Sequence, residues 1–256
     1  RISSAGRLNA ASSLDSRVVP KLISEPENLL FEIQKITMQS ESQELTIRNI
    51  SENSLQIDSV IVQAGFLVSM TNEWSDRLGS FQVDPGNAQL LNVCFNPQWP
   101  EEYKKLLIVY YHSDTGISQK CIVQLLGRGV SGSILTGGAV SGTWQKSQSP
   151  IYVTDDIYVE TGLTLNIEPG VIVQFEGHHS FTIGVNACLI ATGASEDSII
   201  FRPYDIRTGW NGLRFLNSGD DDTLRYCRII HSHKSALKYI VPIFIFFVCP
   251  PGKVYK

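Results

Sequence analysis

The stretch from Ile157 to Phe201 constrains the fold more than any other part of the chain. Leu163, Leu165 and Ile167 alternate with Thr164 and Asn166, and Glu168-Pro169-Gly170 then turns the chain. Val171, Val173 and Phe175 alternate next and end at Glu176-Gly177-His178-His179. Phe181, Ile183 and Val185 follow, then Leu189 and Ala191 before Gly193, then Ile199 and Phe201. Period-two alternation over runs this short predicts strands. An offset of 18 carries Leu163–Ile167 onto Phe181–Val185, and one of 17 or 18 carries Val171–Phe175 close to Cys188–Thr192. Ile157–Val159 and Ile199–Phe201 form a third set. Three strand families at roughly 18 to 25 residues per turn predict a β-helix; an antiparallel sandwich with tight turns is the alternative. A β-helix is built by stacking, so its function lies on an extended surface.

The residues around this repeat carry a resemblance. Gly138-Ala139-Val140-Ser141-Gly142-Thr143-Trp144 is followed by Ser149-Pro150-Ile151-Tyr152-Val153 and then by Leu165-Asn166-Ile167-Glu168-Pro169-Gly170-Val171. Further on stand Leu189-Ile190-Ala191-Thr192-Gly193, Trp210-Asn211-Gly212-Leu213-Arg214-Phe215 and Tyr226-Cys227-Arg228-Ile229. From Gly138 to His231 the chain resembles the opening coils of secreted bacterial right-handed parallel β-helix proteins, which implies a pectin-lyase-like fold. Such a resemblance speaks to fold far more than to activity.

Residues 20–130 also read as β, without the stacking repeat. Leu45 and Ile47 are followed across a polar turn by Leu55 and Ile57. Val93 and Phe95 precede Asn96-Pro97. Leu106, Ile108 and Tyr110 alternate, as do Cys121, Val123 and Leu125. About seven strands over roughly 110 residues predict an Ig-like β-sandwich. Leu29-Leu30-Phe31, Leu45-Thr46-Ile47-Arg48-Asn49, Val93-Cys94-Phe95-Asn96-Pro97 and Val123-Gln124-Leu125-Leu126-Gly127-Arg128-Gly129 resemble Ig-like domains of the ASH or choice-of-anchor D type, with Tyr111-His112-Ser113-Asp114 as a departure. That resemblance implies a spacer or interaction module with no catalytic set.

The expected fold is therefore all-β: a disordered tail or the remnant of a preceding module at 1–19, a sandwich at 20–130, a hinge at 131–136, β-helix coils at 137–233 and a truncated or aberrant apolar tail at 234–256. About three coils are expected. The chain begins at Arg1, which suggests a fragment or a processed product. The run Ile240–Cys249 is too short to span a bilayer. It reads as aberrant or truncated sequence, or else as a short terminal strand against the last coil. A β-helix with an open end is expected to be marginal or prone to aggregate. Hydrophobic residues make up 43% of the chain and charged residues 18%, which argues against wholesale disorder. A net charge of −4 gives no basic footprint for nucleic acid.

Candidate chemistry is sparse. Cys94, Cys121, Cys188, Cys227 and Cys249 contain no Cys-x-x-Cys pair, which removes zinc-finger and thioredoxin readings. They read as buried thiols, with a Cys94–Cys121 disulfide as the alternative. No phosphate loop, dinucleotide fingerprint or Gly-x-Ser-x-Gly is present, so no organic cofactor is expected. His178-His179 falls in a turn; His231 and His233 would share a strand face but lack a third ligand. Asp220, Asp221 and Asp222 are candidate Ca²⁺ ligands, although adjacent strand side chains point opposite ways and a solvated acidic turn explains them as well. Asp205 with one of these aspartates is the candidate carboxylate pair for glycoside cleavage. Exposed aromatics such as Tyr152, Tyr158, Tyr204 and Trp210 are candidates for sugar stacking, with Trp210 also suited to a coil corner.

Two functions follow. One is a non-catalytic extracellular or cell-surface protein whose β-helix face binds a polysaccharide or a cell-surface protein. The other is a polysaccharide lyase or glycoside hydrolase whose groove lies on further coils.

Overall fold

The computed structural model describes residues 21–114, 116, 118–219, 221–232 and, by backbone alone, 245–248. It divides the chain into two compact units, residues 1–129 and 130–256. Each unit has a hydrophobic core of its own.

The first unit is an Ig-like sandwich. Its strands are β1 (Leu22–Glu25), β2 (Asn28–Lys35), β3 (Gln43–Asn49), β4 (Leu55–Val62), β5 (Phe66–Ser69), β6 (Arg77–Leu78), β7 (Phe81–Val83), β8 (Ala88–Phe95), β9 (Glu102–Ser113) and β10 (Ser118–Val130). One sheet has the order β1-β3-β8-β5; the other is β2-β10-β9-β4-β6, with β7 also on β4. The β1–β3, β3–β8, β5–β8, β4–β9 and β9–β10 pairs are antiparallel. The inner faces bury Leu45, Ile47, Leu55, Ile57, Leu91 and Val93 completely. A ring cluster of Phe31, Phe66, Phe95 and Tyr103 fills one end of this core.

On β9 the inward set is Tyr103, Leu107, Val109 and Tyr111, and Leu106, Ile108 and Tyr110 face outward. The alternating set singled out in the sequence, Leu106, Ile108 and Tyr110, is therefore the outward one. The run Leu106–Tyr111 is apolar at every position, so period two cannot say which set is buried.

The second unit is a parallel β-helix. It contains β11 (Ser133–Leu135), β12 (Gly138–Ala139), β13 (Gly142–Trp144), β14 (Ile151–Val153), β15 (Ile157–Val159), β16 (Thr164–Ile167), β17 (Ile172–Phe175), β18 (Ser180–Ile183), β19 (Cys188–Thr192), β20 (Ile199–Pro203), β21 (Gly212–Phe215), β22 (Thr223–Arg225), β23 (Cys227–Ile230) and β24 (Ile245–Val248). Three sheets result: sheet I is β11-β14-β17-β20-β23-β24, sheet II is β12-β15-β18-β21, and sheet III is β13-β16-β19-β22. The chain visits I, II and III in turn through four circuits, and β23 begins a fifth. Four circuits exceed the three expected, because β11–β13 are only two or three residues each and too short to show alternation. β11 lies within the segment read as a hinge.

The strand families differ from those the offset of 18 suggested. Leu165 pairs with Leu189 and Ile157 with Phe181, each 24 positions on. Val173 pairs with Phe201, 28 positions on. Leu163–Ile167 and Phe181–Val185 therefore belong to different sheets. Strands of similar composition on different walls of the β-helix mimic a shorter repeat.

Stacking in register makes the core. Ile151, Val173, Phe201 and Ile229 form one inward column of sheet I. Trp210 is fully buried and stacks on Phe175 with centroids 4.0 Å apart; its Nε1–H donates to the Ile230 carbonyl at 2.9 Å. The turn from sheet II to sheet III repeats a left-handed backbone at Gly162 (φ 75°), Asn186 (φ 53°) and Asn217 (φ 47°). Glycine and asparagine are the residues that accept this conformation. Gly162 N–H donates to the Asn186 carbonyl, and Asn186 N–H to that of Asn217.

Candidate functional site

The outward face of sheet II carries an open depression in the β-helix unit. Ile157 and Val159 of β15 point inward and are buried, so Asp156, Tyr158 and Glu160 project outward and are exposed. The register places Tyr158 beside Thr182 of β18, and Thr182 beside Arg214 of β21. Neighbouring strands stand about 4.8 Å apart, so these side chains form an evenly stepped row. Tyr158 is 43% exposed and Leu216, just beyond β21, is 55% exposed. Tyr158, Glu160, Thr161, Thr182, Gly184 and Leu216 line an open depression of about 500 Å³. An aromatic ring, an exposed apolar side chain, two hydroxyls and a carboxylate thus line one depression.

At the other end of these strands, the turns from sheet I to sheet II bring Asp155, Asp156 and His179 together. One ligand atom from each lies within 4.8 Å of the other two. Asp156 Oδ1 accepts the Ser180 N–H at 2.7 Å, and Asp155 Oδ1 accepts the Asp156 N–H at 2.7 Å. His179 Nδ1 lies 3.8 Å from Asp155 Oδ1. The sequence reading missed Asp155 and Asp156. Asp155 precedes His179 by the same 24 positions that separate paired Ile157 and Phe181, an interval that the offset of 18 read from the sequence did not show.

The residues singled out from the sequence are placed differently. Asp220 lies outside the described residues, and Asp221 is exposed. Asp222 Oδ1 accepts the Leu189 N–H at 2.7 Å, and Oδ2 accepts the Ser218 hydroxyl. Asp222 therefore ties one coil to the next. Among the described residues no His, Cys or carboxylate joins Asp221 and Asp222 in a group of three.

Asp205 is bound by Arg207, whose Nε and Nη2 donate to its two oxygens at 3.1 and 2.9 Å. Those hydrogen bonds hold its carboxyl below the usual range, so it stays ionised and does not suit a general acid. Lys146 Nζ reaches both oxygens of Asp197 at 2.7 Å, and the Lys146 N–H donates to Glu168, linking three successive turns. His231 has a left-handed backbone (φ 48°), and His233 lies outside the described residues.

Of the four candidate aromatics, Tyr158 and Tyr204 are exposed, whereas Tyr152 and Trp210 are buried. Cys94, Cys121, Cys188 and Cys227 are free thiols, so no Cys94–Cys121 disulfide is present; Cys249 lies outside the described residues. Burial pushes the Cys94 thiol up to about 11 and that of Cys227 up to about 12. Among the described residues no helix is long and apolar enough to cross a membrane.

No family model matches the sequence, and no curated protein matches it. Several solved structures do. The ASH/PapD-like domain 7 of human CEP192 is 14% identical, over 52% of this chain and 99% of that domain, with a TM-score of 0.36. The E. coli chaperone DraB is 16% identical over 44% of this chain and 57% of its own, with a TM-score of 0.33. The Vibrio cholerae VesB protease is 13% identical over 44% of this chain and 32% of its own, with a TM-score of 0.31. At these values the assignment of a sandwich followed by parallel coils rests on the strand pairing itself.

Proposed function

We propose that this chain is a non-catalytic extracellular or cell-surface protein of the secreted bacterial β-helix kind, and that the outward wall of sheet II contacts carbohydrate. The sandwich, on this reading, is a spacer of the ASH or choice-of-anchor D type. The observation that carries the proposal is the row Tyr158–Thr182–Arg214 with Glu160, Thr161 and Leu216 around one open depression.

A sugar ring offers an apolar face and a rim of hydroxyls. The exposed Tyr158 ring supplies the apolar platform, and Thr161, Thr182 and Glu160 supply donors and acceptors beside it. Tyr158 and Thr182 are fixed by paired strands, with Glu160 and Thr161 just beyond β15, so little ordering of the platform is needed on binding. The engagement of Asp205 by Arg207 and of Asp222 by Leu189 also supports a binding role over carboxylate catalysis.

A glycan array followed by calorimetry on the best glycan tests this reading. Tyr158→Ala is expected to weaken binding about tenfold, equivalent to about 1.4 kcal/mol. Tyr204→Ala, which alters an exposed ring outside this row, is expected to leave it unchanged. Equal affinity of wild type and Tyr158→Ala would overturn the assignment. Protease shaving of intact producing cells, with release of the β-helix unit, tests the location.

A further inference from the structure

We propose that Asp155, Asp156 and His179 form a binding site for a first-row divalent cation of the zinc type. The inference is independent of carbohydrate binding. Its basis is the convergence of three different side chains from two successive coils, with one ligand atom of each within 4.8 Å of the others.

Adjacent aspartates on a strand point to opposite faces and cannot share an ion. Asp155 and Asp156 escape that limit because Asp155 sits in the bend between β14 and β15. The Asp156 N–H is turned onto Asp155 Oδ1, and Asp156 Oδ1 is pinned by the Ser180 N–H of the next coil. Each carboxylate keeps a second oxygen. Register then sets His179 alongside Asp155, since Ile157 pairs with Phe181 two residues further on.

The imidazole is oriented as well as placed. A Cβ on Gly177 would stand 3.1 Å from His179 Nε2, so a glycine at this position leaves the room the ring occupies. Nδ1 faces Asp155 Oδ1 at 3.8 Å, too far for a hydrogen bond. Among the described residues the ring makes no hydrogen bond, although its side chain is only 26% exposed. A cation between these atoms would bind both in place of that long ion-pair contact.

The donor set selects the class of ion. Calcium takes six to eight oxygens, and magnesium an octahedron of oxygens, mostly water. One imidazole nitrogen with two carboxylates suits zinc and its neighbours, which bind three protein ligands and leave a fourth position open. Ligand atoms of tetrahedral zinc stand roughly 3.4 Å apart. The exposed Asp155 side chain, at 71%, is free to swing by the small amount this requires.

Calorimetric titration of the full chain with zinc chloride, and separately with calcium chloride, tests the site. Wild type is expected to bind one zinc ion at this site, and Asp155→Asn and His179→Gln are each expected to weaken it at least tenfold. Calcium is expected to bind at least tenfold more weakly than zinc. Asp155 is exposed, so Asp155→Asn leaves the fold intact even if His179→Gln does not. The cobalt-loaded protein provides a second readout, an absorption band of low-coordinate Co²⁺ that Asp155→Asn removes. Zinc affinity unchanged in Asp155→Asn, or calcium binding as tight as zinc, would overturn the proposal.

Discussion

Single residues in the β-helix unit do sharply different work despite similar chemistry. Trp210 is an exposed-aromatic candidate by composition, yet it lies fully buried against Phe175 with its N–H satisfied. Trp210→Ala is expected to cost about 3–5 kcal/mol, read from denaturant melts. Tyr158 has comparable size and lies on an outward strand position, so truncating it is expected to alter binding and not folding. This difference was partly legible: the alternation of β15 points Tyr158 out, but Trp210 precedes its strand, where no period applies.

Cys227 makes a prediction against pH. Its folded thiol titrates at about 12 because of burial, whereas an unfolded thiol titrates near roughly 8.5. The unfolded state therefore loses its proton first as pH rises. The stability that Cys227 contributes is complete below the unfolded value and is lost between the two. Wild type is expected to lose stability more steeply than Cys227→Ala above about pH 9 in thermal melts, and equal slopes would contradict the buried placement.

Elements are held in register by short polar ties between coils as much as by the apolar columns. Asp222 accepts the N–H of Leu189, the second residue of β19. Asp222→Ala is expected to cost about 1–2 kcal/mol by leaving that donor unpaired. Asp221→Ala, one residue away and exposed, is expected to change stability by less than about 0.5 kcal/mol, as measured by the same melts. The sequence showed an acidic run but not this division of labour, which depends on which carboxylate meets the coil beside it.

The strands themselves were legible from β15 to β20, because period two survives in runs of three to five residues. Their grouping into sheets was not. Phe181–Ile183 resembles Leu165–Ile167 in pattern, yet hydrogen-bonds to Ile157–Val159. The left-handed column Gly162, Asn186 and Asn217 recurs once per coil, but asparagine at a turn reads locally as any turn residue would.

At the scale of the molecule, two cores stand apart in sequence, and each fills its own unit. Both fold classes were readable, since turn spacing in the first half and stacking patterns in the second point to different β architectures. The surface chemistry was less readable. The sheet II wall and the Asp155–His179 turn join residues 24 or more positions apart, so they exist only once the register is known.

The central claim is that this wall binds carbohydrate through Tyr158. Titration calorimetry of wild type and Tyr158→Ala against the best glycan from an array tests it most directly. About a tenfold weaker affinity is expected for the variant, with an unchanged melting temperature. Matching affinities, or no glycan bound by the wild type, would contradict it.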